Sequence, residues 1–229
     1  MRIPSLSVIA FAIFSSLLAL PARAQLIAGW SFNDSTPPTV DLAVDHGAGT
    51  LTLSGVGSGV GLPTGTTVNA YSGDSAGDSL AVSVASLSSS GYTQLVFSTT
   101  GTASPVLSYA IGTTVGTVTL QWSYSSDGTN FTTFSTPFTP PTISSTSDLS
   151  LISAETVDLT SVGALSSQSQ VYLRGTFTNT GVSIATIVID NIQINASAIP
   201  EPATYALWSG GLFGLLVVLR RRSLVRCKV

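Results

Sequence analysis

Gly116-Thr117-Val118-Thr119-Leu120-Gln121-Trp122-Ser123-Tyr124-Ser125 decides the fold class. Val118, Leu120, Trp122 and Tyr124 share one parity, and Thr117, Thr119, Gln121 and Ser123 share the other. Period two with a single apolar face is the mark of an antiparallel strand laid over a core. Asp127-Gly128 follows, then Phe131, which reads as a hairpin turn into a second strand. Working outward, the same short runs recur between Gly, Ser and Pro clusters. Strands are expected at Leu26–Phe32, Gly49–Val56, Ser79–Ala85, Thr93–Thr99, Ser104–Ile111, Gly116–Ser125, Asn130–Phe134, Ser150–Leu159, Gln170–Thr178 and Ile184–Asn195. In the first, Leu26, Ala28, Trp30 and Phe32 fall on one face. The fold class is all-β, an antiparallel β-sandwich or barrel.

Leu159 to Gln170 allows a short helical turn, and Ser135 to Ser147 reads as a loop within the domain. No repeat of 20–50 residues is present. The pattern Trp122-Ser-Tyr-Ser-Ser-Asp127-Gly128-Thr-Asn-Phe131, then Val171-Tyr-Leu-Arg174-Gly-Thr-Phe177, then Ile187-Val-Ile-Asp190-Asn191-Ile-Gln-Ile194, resembles bacterial jelly-roll ectodomains. That resemblance implies a jelly-roll-like sandwich found in surface proteins and beside secreted hydrolases. It carries no function, because such folds host many roles.

The two ends of the chain read as targeting segments. Met1-Arg2, an apolar stretch from Leu6 to Leu20, and Ala22-Arg23-Ala24 make a secretory signal with cleavage expected after Ala24. At the other end, Ala203 to Leu219 carries no charge and is just long enough to cross a thin bilayer as a helix. Arg220, Arg221 and Arg222 follow directly, and clustered cations stay on the cytoplasmic side. The expected organisation is a signal peptide at 1–24, an ectodomain at 25–198 and a sorting tail at 199–229, with the span at 203–219. Pro200-Glu201-Pro202 precedes the span. Two prolines remove two donors and hold Glu201 extended at the outer membrane face. This order of Pro-Glu-Pro, short span and terminal arginines resembles the PEP-CTERM sorting signal of Gram-negative bacteria. The resemblance implies export by the Sec machinery, a transient stay in the inner membrane and recognition by an exosortase. It further implies removal of the span and delivery to the cell surface or extracellular matrix, often in bacteria that make exopolysaccharide.

Between residues 25 and 198 Arg174 is the only Lys or Arg, against ten acids, although the whole chain shows a formal net charge of −3. So acidic a domain does not bind nucleic acid or anionic lipid by charge. The lone cysteine, Cys227, lies beyond the span, so the ectodomain holds no disulfide and depends on packing and sheet hydrogen bonds.

Within the ectodomain Arg174 alternates with Tyr172 and Thr176, opposite Val171, Leu173 and Phe177. Ile187 and Ile189 share one parity, Ile192 and Ile194 the other. Either a bulge sits near Asp190-Asn191 or Asp190 faces inward, where a carboxylate needs a partner. An Arg174–Asp190 contact, structural rather than catalytic, is expected. No cofactor is expected. Asp34, Asp41, Asp45 and Asp190, with Asn33 and Asn191, offer oxygens for a structural calcium, but no D-x-D-x-D-G loop is present. Trp30 and Trp122 fall on core parity, leaving Tyr71, Tyr92 and Tyr109 as rings for stacking on sugar. Catalysis finds little support. His46 is the only histidine and is expected in a loop, no G-x-S-x-G elbow exists, and Glu155 is the only glutamate of the domain. The leading reading is a non-enzymatic exported protein sorted at its tail. The alternatives are a carbohydrate-binding module acting in exopolysaccharide and a secreted hydrolase.

Overall fold

The computed structural model describes residues 24–33, 41–56, 61–72, 74–85, 91–181 and 184–198. Ala22, Asp34, Pro200-Glu201-Pro202, the span at 203–219 and Arg220, Arg221 and Arg222 lie outside the described residues. The chain forms β1 (Ala24–Trp30), β2 (Asp41–Ala43), β3 (His46–Gly47), β4 (Gly49–Ser54), β5 (Leu80–Ala85) and β6 (Gly91–Phe97). There follow β7 (Thr102–Thr113), β8 (Val118–Ser125), β9 (Thr132–Thr133), β10 (Ser153–Asp158), β11 (Val171–Asn179) and β12 (Ile184–Ala198). Every expected strand is present, and a 3-10 turn at Gly163–Leu165 fills the expected helical segment. Strands β2 and β3 were not expected, because three and two residues are too short to show a period. His46 is thus on a strand rather than in a loop.

Two antiparallel six-stranded sheets face each other. One runs β10-β7-β12-β1-β3 with β5 also on β12, and the other runs β2-β4-β6-β11-β8-β9. Successive strands alternate between the sheets at every connection except the β8–β9 hairpin. Almost all pairing is therefore between segments distant in sequence, and the core is assembled from both sheets at once. Val118, Leu120 and Trp122 of β8 and Val171, Leu173 and Phe177 of β11 enter it, as their alternation predicts. Trp30 is 1% and Trp122 3% exposed, so neither can stack on a ligand from solvent. Trp122 pairs with Gly175 across the sheet, and a Cβ on that glycine would lie 3.0 Å from the indole. Glycine at this core position makes room for the ring.

Two bulges adjust the parity. One between Leu26 and Ala28 places Ile27, not Leu26, against the core beside Ala28 and Trp30. The other lies where β12 crosses β7: Asp190 faces Ala110 and Gln193 faces Ser108, so one extra residue is inserted. Asn191 takes φ 50° there. This explains how Ile187 and Ile189 on one parity and Ile192 and Ile194 on the other all reach the core.

The outer face of the first sheet is covered by two loops. Ala81, Ala110 and Val188 pack under Ile143 and Ile152, with Val68 and Leu149 against them.

Candidate functional site

The second sheet ends at β8 and β9, and the chain beyond β9 runs back along β8. Leu120 donates its amide to the Phe138 carbonyl at 2.8 Å, and Phe138 returns the bond at 2.9 Å. Ser135 is fixed to the same strand, because its hydroxyl accepts the Trp122 amide at 2.8 Å and its carbonyl accepts the Gln121 side chain at 3.0 Å. The facing edge of the first sheet is β10, paired only with β7. Between these two edges opens a cleft of about 320 Å³. Its floor is Tyr109, Leu120 and Trp122, its aromatic wall Phe134 and Phe138, and its opposite rim Glu155, Thr156 and Asp158 on β10.

The floor is rigid. The Trp122 indole donates to the Tyr109 hydroxyl at 3.0 Å, with ring centroids 5.7 Å apart. Burial pushes the Tyr109 hydroxyl up to about 12, against the lowering effect of that bond, and the nearby Glu155 charge adds to the rise. Tyr109 therefore stays a neutral donor. Phe134 and Phe138 are half-buried and present ring surface to the opening. On the rim, Ser153 donates its hydroxyl to Glu155 at 2.9 Å. Asp158 is exposed, and the Thr160 hydroxyl and amide hold its carboxyl below the usual range. Apolar rings on one wall and fixed acceptors on the other suit binding of a polyhydroxylated ligand.

Alternation in sequence marked Trp122 as core but did not reveal this cleft. Of its residues only Tyr109 is among the rings that alternation leaves for stacking, and it is 2% exposed, so it serves as floor. Tyr71 is exposed and lies elsewhere, its ring 4.7 Å from that of His46. Tyr92 is on the outer face of the second sheet beneath Arg174.

The expected Arg174–Asp190 contact does not form. Arg174 is on β11 in the second sheet and Asp190 on β12 in the first. The Arg174 guanidinium donates to the Gln94 side-chain oxygen at 2.8 Å and lies 4.2 Å from the Tyr92 ring centroid and 3.7 Å from that of Phe131. Stacking on two rings satisfies a cation without a carboxylate. It also pins the β8–β9 hairpin, where Asp127 caps the turn by accepting the Thr129 and Asn130 amides at 2.8 Å. Gly128 there takes φ 72° and packs against the Tyr172 ring.

Asp190 is 1% exposed on the outer face of the first sheet. It accepts the Thr66 amide at 2.7 Å and the Asn191 amide at 2.8 Å. Burial raises its carboxyl to about 7, the two bonds oppose this, and the charges of Asp74 and Asp78 add to it. Asn191 donates to the carbonyls of Thr66 and Val68 at 2.7 and 2.9 Å, and Gln193 donates to that of Asn69. Together they hold the loop running from Gly61 to Ser79.

Asp45 accepts the Ser31 amide at 2.6 Å and the Ser31 hydroxyl at 3.1 Å. Asp45 and Asp190 thus have separate protein partners. Among the described residues no group of three or more His, Cys, Asp or Glu is gathered to hold a metal ion. His46 meets both carboxylate oxygens of Asp74 at 3.1 Å. Ser31 lines the same depression, but its hydroxyl is bonded to Asp45, and the depression has no room for a water molecule. No nucleophile–base pair arises there.

No family model and no curated protein matches the chain. Among solved structures it is similar to TmCBM61, determined in complex with β-1,4-galactotriose, with 9% identity and a TM-score of 0.39 over 63% of this chain and 86% of that one. It is similar to the family 11 carbohydrate-binding module of the cellulosomal cellulase Lic26A-Cel5E of Clostridium thermocellum, with 13% identity and a TM-score of 0.40 over 80% and 99%. A carbohydrate-binding module of Cellvibrio mixtus lichenase 5A, in complex with cellotriose, gives 15% identity and a TM-score of 0.36 over 75% and 98%.

Proposed function

We propose that this chain is an exported, non-enzymatic carbohydrate-binding protein with a jelly-roll-like sandwich, whose edge cleft takes a short stretch of saccharide. The observation that carries the reading is the cleft itself. Its 320 Å³ reaches the lower range of small-ligand sites, and it sets half-buried Phe134 and Phe138 opposite Glu155, with Thr156 and Asp158 along the outer rim. A pyranose has an apolar C–H face for such rings and equatorial hydroxyls for such acceptors. The tail belongs to the same reading. Pro200-Glu201-Pro202, the span and Arg220 to Arg222 direct the protein to an exosortase, which releases it to the surface or an exopolysaccharide matrix.

Binding is tested by calorimetry of the purified protein against a panel of oligosaccharides. At least one binds, and Phe138→Ala weakens it about tenfold while circular dichroism stays unchanged. Silence across the panel, or equal binding by Phe138→Ala, overturns the assignment of the cleft.

A further inference from the structure

We infer that the saccharide held in the edge cleft is cationic: a glycan of amino sugars with free, protonated amines. The inference rests on the saccharide reading above and deepens it. Its basis is the distribution of charge around one opening. Among the described residues, the ionisable acids lining the cleft are Glu155 and Asp158 on β10, and no Lys, Arg or His lines it. Arg174, the only Lys or Arg between 25 and 198, is committed on the outer face of the second sheet to Gln94, Tyr92 and Phe131. His46 is bonded to Asp74 at a different edge, on β3.

Among the described residues, the carboxylates of the cleft therefore have no basic side chain there to neutralise them. A uronate or sulfated glycan meets repulsion at this rim. A neutral glycan gains stacking and neutral hydrogen bonds. An ammonium on the sugar gains more on both walls. Opposite lies the Glu155 carboxylate, on the face of β10 shared with Tyr109, with Asp158 on the other face at the exposed rim, and beside it are the negative faces of Phe134 and Phe138. A carboxylate facing aromatic rings, with a second at the rim and no cation among the described residues of the cleft, is complementary to an organic cation rather than to an anion.

The test compares three trisaccharides on the purified protein: fully deacetylated glucosamine trimer, its N-acetylated form and cellotriose. The deacetylated trimer binds at least about tenfold more tightly than the other two, about 1.4 kcal/mol. The advantage shrinks in 0.5 M salt, because the rim is exposed. The pair Glu155→Gln and Asp158→Asn removes the preference while a thermal melt confirms folding. Asp158→Asn alone, at an exposed side chain, narrows it. Asp148→Asn, outside the cleft, keeps it. If acetylated or neutral trimers bind as well as the amine, the inference falls and the saccharide reading stands. If no trisaccharide binds, both fall. If trilysine binds as tightly as the amino sugar and Phe138→Ala leaves both unchanged, the attraction is one of general charge and the inference falls.

Discussion

Asp190 is buried with two backbone donors and without an arginine beside it. Its native value of about 7 lies above the 3.8 of an ordinary aspartate, so the native state holds a proton that the unfolded chain releases. Stability from this residue is complete below about pH 4, is lost as pH rises toward 7 and is level above that. The loss is on the order of 2–4 kcal/mol. Urea unfolding of the wild type is expected at a lower midpoint at pH 8 than at pH 4.5. Asp190→Asn flattens that difference. It also lowers stability at acid pH, since an amide cannot accept from both Thr66 and Asn191. A wild-type midpoint that rises across the window would contradict the assignment. The parity change among the four isoleucines allows either a bulge or an inward aspartate, and the register across β7 shows the bulge. The identity of the partners was not legible in the sequence, because Thr66 and Asn69 come from a loop more than 120 residues away in sequence.

At the scale of elements, Arg174 joins β11 to the β8–β9 hairpin. Its two ring contacts and its bond to Gln94 replace the carboxylate that charge counting alone favoured. Counting charges missed this because a guanidinium is weakly hydrated and packs on aromatic faces as readily as it pairs with acids. Arg174→Ala is expected to cost about 1–2 kcal/mol and to speed amide exchange from Ser126 to Thr133, leaving β11 protected. Arg174→Lys recovers part of the loss, as a point charge cannot span both rings. Unchanged exchange in the hairpin would show that Asp127 and Gly128 hold the turn unaided.

For the whole molecule, β1 and β12 lie side by side, Ala24 opposite Ser197. Cleavage after Ala24, as proposed, would remove one residue of β1 and leave Ala28 and Trp30 in the core. The far end of the domain is β12, whose last residue, Ala198, is two residues from Pro200. The proposed processing at both ends would therefore leave the sandwich whole. Mass spectrometry of the mature protein is expected to find a chain beginning at Gln25 and ending near Pro-Glu-Pro in cells with the exosortase, with the tail retained in cells without it. An intact tail through Val229 in wild-type cells would end the sorting proposal.

Sequence by itself determined the all-β class, the positions of ten of the twelve strands and the burial of Trp30 and Trp122, and at Asp190-Asn191 it left a bulge and an inward-facing aspartate as alternatives. Alternation is a local property, written into each strand by the two-residue repeat of the backbone. Tertiary structure alone decided which strands became edges, that β10 would face the return segment from Phe134 to Phe138, and that Glu155 and Asp158 would share a cleft with Tyr109 and Trp122. The reason is the chain's path. It changes sheets at nearly every connection, so neighbours in the fold are distant in sequence, and no local pattern records who will stand opposite whom.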